Sequence, residues 1–240
     1  KMENALVSYL NKRLREERML NRVGKKAGPV ITISREVGCR GLKLAHKISD
    51  QLNRGKPGSH WKVLSKEVFQ ESARELNLDP EKIRQIFKKT SKYTFEEILN
   101  AFNNRSYKSE RVIVNSVVDI IRTFATDGFC IIVGRAGHVI AKDIEHAFHL
   151  RIIAPFEYRT KSIMENNQFS RNEAILFIRK VESERIAFRK AIRAENQAGD
   201  YFDLYVNRAS FSENDTVDLI LKAVEKKGIL KEYNYKEMYN

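Results

Sequence analysis

The 240-residue chain carries 44 Lys and Arg against 31 Asp and Glu, a formal net charge of +13, and is 42% hydrophobic with four prolines. That balance belongs to a globular, helix-rich protein with one sizeable core and room for a smaller lobe, and it excludes a disordered chain. The positive excess points to anionic partners: phosphates, nucleotides or nucleic acid.

Residues 1–28 hold eight Lys or Arg against three Glu, with Leu6, Leu10, Leu14 and Val23 at helical intervals. This pattern predicts a basic amphipathic helical arm. It packs on the domain, on a partner subunit as a homodimer contact, or against RNA, and the residues leave these alternatives open. No apolar run approaches the ~20 residues of a membrane helix, and the first residues lack the apolar core of a secretory signal, so a cytoplasmic location is the expectation. Cys39 and Cys130 allow no disulfide framework, and the five histidines show no metal-ligand spacing.

From Pro29 to Asn53 a strand, a glycine turn and a helix follow one another. Val30, Ile31 and Ile33 suit a short buried strand, and Leu42, Leu44, Ala45, Ile48 and Leu52 recur at helical spacing after Gly38 and Gly41. A helix that starts after a glycine turn offers unpaired N–H groups and a positive dipole end, a place for an anion. The usual phosphate loop adds a lysine and a hydroxyl after its last glycine. Here Gly38-Cys39-Arg40-Gly41-Leu42-Lys43 supplies neither, and Arg40 and Lys43 stand at shifted places.

Trp61–Leu64 reads as a short strand, and Lys66–Gly128 is helical in pattern. Asp79-Pro80 marks one helix start, Thr94 with Glu97 another, and Gly128 a stop. Strands are expected at Phe129–Val133 and Phe148–Ala154, read as apolar runs buried on two faces. A second glycine turn, Val133–Gly137, lies between them and carries Arg135. A helix over Pro155–Asn166 follows, and Ser170 with Glu173 caps a long helix whose basic cluster spans 179–195. Asp203–Val206 is the last strand, Asp203 serving as a hydrogen bonder at its start, and Ser212–Lys227 the last helix, stopped by Gly228. Tyr201 and Phe202 are assigned to the core. This order implies an open parallel sheet covered by helices, with ligands outside the carboxyl ends of its strands, where both glycine turns lie.

Ile33-Ser34-Arg35-Glu36-Val37-Gly38 with Gly41 and Ala45, then Ile131-Ile132-Val133-Gly134-Arg135, then Ala154-Pro155-Phe156-Glu157-Tyr158-Arg159, resemble the cytidylate kinase-like family of P-loop nucleoside monophosphate kinases. The similarity runs from about Pro29 to Gly228. Glu182, Arg185 and Phe188 fall where that family has an acid–arginine–aromatic pattern in its lid. The resemblance implies a three-layer α/β/α P-loop kinase fold over 29–228 with a five-stranded parallel sheet. It further implies a helical monophosphate-binding insert at about 60–128 and a lid at about 170–198, leaving 229–240 as a tail. It also implies phosphoryl transfer from ATP–Mg²⁺ to CMP or dCMP. Authentic cytidylate kinases carry G-K-[ST] where this chain has Gly41, Leu42 and Lys43, and acids where it has Ser65 and Val133.

On that footing, backbone N–H groups of Gly38, Cys39, Arg40, Gly41 and Leu42 hold nucleotide phosphate, and Arg40 or Lys43 replaces the missing cation. Gly134 and Arg135 hold the acceptor phosphate, since guanidinium binds phosphate bidentately. Arg185 and Arg189, with Arg193 continuing their helix face, meet the γ-phosphate from the lid. Ser34 is the candidate Mg²⁺ contact. A catalytically weak or inactive nucleotide-binding protein of the same fold is the alternative function, supported by the missing lysine, hydroxyl and acid. RNA binding has no recognised motif behind it.

Overall fold

A computed structural model describes residues 27–54, 61–65, 118, 121, 122, 124–192 and 200–231. The expected N-terminal arm, most of the helical insert, Arg193 and the end of the tail lie outside the described residues.

The first strand, β1 (Val30–Arg35), runs into helix α1 (Gly41–Asn53). Next come β2 (Lys62–Leu64), β3 (Cys130–Val133) and a one-turn helix α2 (Gly137–Ile140). Strand β4 (Ala147–Ile153) leads to α3 (Phe156–Asn167) and the long α4 (Arg171–Ile192). Strand β5 (Leu204–Asn207) and helix α5 (Glu213–Lys227) complete the order. All five strands form one parallel sheet in the order β2-β3-β1-β4-β5. Among the described residues the expected strands and helices are present with bounds moved by a residue or so, and α2 is an addition that the glycine turn hid; the helix starts expected at Asp79-Pro80 and at Thr94 with Glu97 lie outside the described residues.

Strand β1 is central, paired with β3 through Val30↔Cys130 and with β4 through Val30↔Ala147. Its side chains alternate between two faces. Ile31 and Ile33 join Phe148, Leu150 and Ile152 under α1 and α5, where Leu44, Ile48, Val217 and Ile220 complete the main core. The other face of these strands is polar. Thr32 Oγ1 lies 2.8 Å from His149 Nδ1, and Ser34 Oγ accepts from Arg151 Nη1 at 2.7 Å. The run Phe148–Ala154 is therefore apolar on one face only, because His149 and Arg151 alternate with the three core residues. Register places those polar side chains opposite Thr32 and Ser34, so each buried polar group gains a partner.

The helix signals act locally. Glu173 Oε2 accepts from both Ser170 N–H and Ser170 Oγ, a capping box before α4. Ser212 Oγ accepts from Asp215 N–H to cap α5, and Gly228 closes it at φ 77°. Asp203 accepts from His149 N–H at 2.6 Å beside the start of β5. Tyr201 is not core: it is 78% exposed, on the segment that leads to the edge strand β5.

Candidate nucleotide phosphate site

The loop between β1 and α1 is shaped by what it packs on. Gly38 takes φ 93°, and a Cβ there would lie 2.7 Å from the Arg159 carbonyl oxygen of α3, so only glycine allows this approach. Val37 is buried against Ile163 of α3 and Ala174 and Ile178 of α4. Arg40 caps α1 in the left-handed region, φ 51° and ψ 36°, with no side-chain cap. Among the described residues no acceptor reaches the N–H groups of Gly41, Leu42 or Lys43, the orphan donors of a helix start. Cys39 is fully buried, and burial, with Glu36 beside it, pushes its thiol up to about 11. It stays a neutral packing residue.

Five arginines converge on the carboxyl ends of β1, β3 and β4. Arg35 extends past both glycine turns: a Cβ on Gly41 would lie 3.0 Å from its Cγ, and one on Gly134 would lie 2.0 Å from its Nη1. Glycine at these two positions is what gives Arg35 its room. Arg135, at φ 51°, sets its guanidinium 5.3 Å from the centre of the Phe188 ring on α4, a cation–π contact between the second glycine turn and that helix. Arg185 Nη1 donates to the Arg35 carbonyl at 2.9 Å. Arg189 Nη1 lies 3.3 Å from Asp200 Oδ2, whose other oxygen is 2.9 Å from His138 Nε2. Arg159 holds two acids, Glu182 at 2.5 Å and Glu36 at 3.4 Å.

These placements bring together Gly38–Leu42, Gly134, Arg135 and Arg185, which lie about one strand end. Arg40 and Lys43 are directed elsewhere. Arg40 reaches Ser162 Oγ at 3.2 Å and Glu165 at 3.5 Å on α3, while Lys43 reaches Glu213 at 3.0 Å on α5. The loop's shifted cations are thus tied down on its two flanks. Arg35, Arg151 and Arg159 were not among the sequence candidates. Arg35 had a legible signal, its place at the end of the strand before the glycines, and Arg159 stood in the Ala154–Arg159 segment of the family resemblance; Arg151 had none, because its partner comes from a distant segment.

The donors do not fit a resident Mg²⁺. Ser34 Oγ is occupied by the Arg151 guanidinium, an unfavourable neighbour for a divalent cation. Glu36 and Glu182 lie on Arg159, and Asp200 on Arg189 and His138. Among the described residues no three His, Cys, Asp or Glu are grouped to hold a metal ion. Orphan N–H groups and guanidinium groups do fit the phosphates of a nucleotide.

Among solved structures, an uncharacterized protein from Eubacterium ventriosum superposes with a TM-score of 0.56 at 20% identity, over 82% of this chain and 98% of its own. That likeness shows the fold. TT1252 from Thermus thermophilus (TM-score 0.43, 15% identity, 85% and 99% covered) and dephospho-CoA kinase from Campylobacter jejuni (TM-score 0.38, 12% identity, 83% and 97% covered) are more distant. No curated protein matches the chain. The sequence profile of the cytidylate kinase-like family matches residues 30–210, a span that begins at β1, passes both glycine turns and α4, and ends just past β5. The chain belongs to the cytidylate kinase-like family.

Proposed function

We propose that this protein is a nucleoside monophosphate kinase that transfers the terminal phosphoryl group of ATP to CMP or dCMP, with arginines standing where a loop lysine is absent. The observation that carries this reading is the meeting of the Gly41–Lys43 N–H groups with Arg35, Arg135 and Arg185 at one end of the sheet. An acceptor phosphate oxygen attacks the γ-phosphorus, the bond to the bridging oxygen breaks, and ADP leaves. Such a transfer asks the protein for positioning and charge neutralisation more than for covalent help.

In this reading the loop N–H groups hold the donor phosphates, Gly134 and Arg135 hold the acceptor phosphate, and Arg185 and Arg189 stabilise the moving group from the lid. Arg40 and Lys43 are turned to Glu165 and Glu213 and take no part in holding phosphate. Loss of one preorganised donor lowers turnover by roughly 10²–10³. We therefore expect a rate below that of a kinase with the complete loop.

A second reading, nucleotide binding without turnover, is favoured by the contact between Arg151 and Ser34, which keeps a cation from that hydroxyl. One coupled-enzyme assay with ATP and Mg²⁺ against a panel of monophosphates, alongside calorimetry, separates the two. ADP release with CMP or dCMP alone supports the kinase; tight binding of both nucleotides with no ADP release supports the second reading. No binding of either nucleotide refutes both.

A further inference from the structure

Arg159 enters the site from α3 with only 8% of its surface exposed, and its two carboxylates differ in kind. Glu36 belongs to the loop itself, and its Oε2 also accepts from the Ala154 N–H at 3.0 Å. That carboxylate closes a local circuit between the ends of β1 and β4. Glu182 comes from the middle of α4, 145 residues further along the chain than Val37. Its Oε1 accepts from Arg159 Nη1 at 2.5 Å and from the Val37 N–H at 3.4 Å. An anionic oxygen is thus already seated between a loop N–H and a guanidinium buried to nine-tenths, and those are the partners that recognise a phosphate oxygen.

We propose that Glu182 is a built-in competitor for the site. Its carboxylate occupies a subsite made by the Val37 N–H and Arg159, and the terminal phosphate of a nucleoside polyphosphate takes that subsite only after α4 has withdrawn Glu182. The proposal rests on the reading of this loop as a nucleotide phosphate site. Charge explains why one acid must leave. Two carboxylates on one guanidinium leave an excess negative charge around Arg159, which repels an incoming phosphate at close range. Glu182 is the acid able to go, since its side chain is 32% exposed and it pins no backbone group of its own helix. Exchange of one anion for another leaves no buried charge unpaired, so the swap avoids the penalty of an isolated guanidinium. It also couples ligand to lid, because α4 is held on the loop by the same contact, by Arg185 on the Arg35 carbonyl, and by Ala174 and Ile178 on Val37.

The test is calorimetric titration of metal-free pyrophosphate into the wild type, Glu182→Gln and Glu165→Gln. Glutamine keeps the size of the side chain and a hydrogen bond to Arg159. Glu165→Gln removes the same charge from the other flank of the loop, where Glu165 pairs with Arg40. If the latch is closed about nine times in ten, Glu182→Gln binds about tenfold tighter than wild type. Glu165→Gln changes affinity by less than about twofold, because its exposed charge is screened. Equal tightening in both variants, or unchanged or weaker binding in Glu182→Gln, overturns the competition. The nucleotide reading then stands or falls separately, on ATP and CMP binding by the wild type. Failure of wild type and Glu182→Gln to bind either pyrophosphate or ATP overturns both. Should Glu182→Gln not fold by circular dichroism, amide NMR of the wild type decides. The Val37 amide shifts with pyrophosphate if Glu182 is displaced, and a Val37 amide that stays put while those of Gly41 and Leu42 move overturns the proposal.

Discussion

Gly38→Ala addresses the packing that shapes the candidate phosphate loop. The residue sits at φ 93°, and its new methyl group would lie 2.7 Å from the Arg159 carbonyl oxygen, 2.8 Å from Arg159 Cα and 2.9 Å from its Cβ. Two of those atoms are backbone and the third is bound rigidly to it, in the first turn of α3, so the loop must move rather than the neighbour. A positive φ costs an L-residue roughly 1–2 kcal/mol, and overpacking adds about 1–3 kcal/mol. The sum, about 2–5 kcal/mol, lowers Tm by roughly 4–20 °C for a domain of this size. The loop's displacement also lengthens the contact of Val37 N–H with Glu182 and takes the N–H groups of α1 out of register with the arginines. Urea and thermal unfolding followed by circular dichroism give the stability, and calorimetry with ATP gives the site. A loss below about 1 kcal/mol, within the ordinary range for a point mutation, would refute the claim that contact with α3 dictates glycine here.

Three further outcomes follow from single contacts. Arg135→Ala leaves the fold intact and raises the CMP dissociation constant by roughly 10–150-fold, the loss of one charge-assisted bond; an unchanged constant by calorimetry makes Arg135 a structural residue. His149 is pushed down to about 4 by burial, against a raising effect of Asp203, so the unfolded chain binds its proton first as pH falls. Stability is full above pH ~6.5 and declines towards pH 4, by about 3 kcal/mol from this residue. His149→Gln flattens that decline, and a variant with the same pH dependence as wild type refutes the assignment. Ser212→Ala removes the oxygen that accepts from Asp215 N–H at 3.2 Å and lowers stability by about 1 kcal/mol, read as a small drop in Tm with nucleotide affinity unchanged; no drop shows that Asp215 and water cap α5 unaided.

Much of the fold was legible because its signals are local. Short apolar and β-branched runs and helical periodicity marked β1, α1, β3 and the later elements, while Ser170 with Glu173, Ser212 and Gly228 marked helix ends, since caps are decided within a few residues. The two glycine turns were visible as well, and with them the end of the sheet where a ligand would sit. Strand order was not legible from periodicity. The placement of β1 between β3 and β4 comes from pairing over about a hundred residues, and the resemblance supplied the five-stranded sheet instead. The polar face of β1 and β4 was missed for the same reason: Phe148–Ala154 reads as an apolar run buried on two faces until register sets His149 and Arg151 against Thr32 and Ser34. The site divides along the same line. Sequence alone determined that a glycine-rich helix start and many arginines exist. Tertiary structure alone decided that Arg40 and Lys43 face Glu165 and Glu213, that Arg35 threads between Gly41 and Gly134, and that Glu182 lies on Arg159 beside the loop. A side chain's direction depends on partners brought from elsewhere in the chain, and no local pattern encodes them.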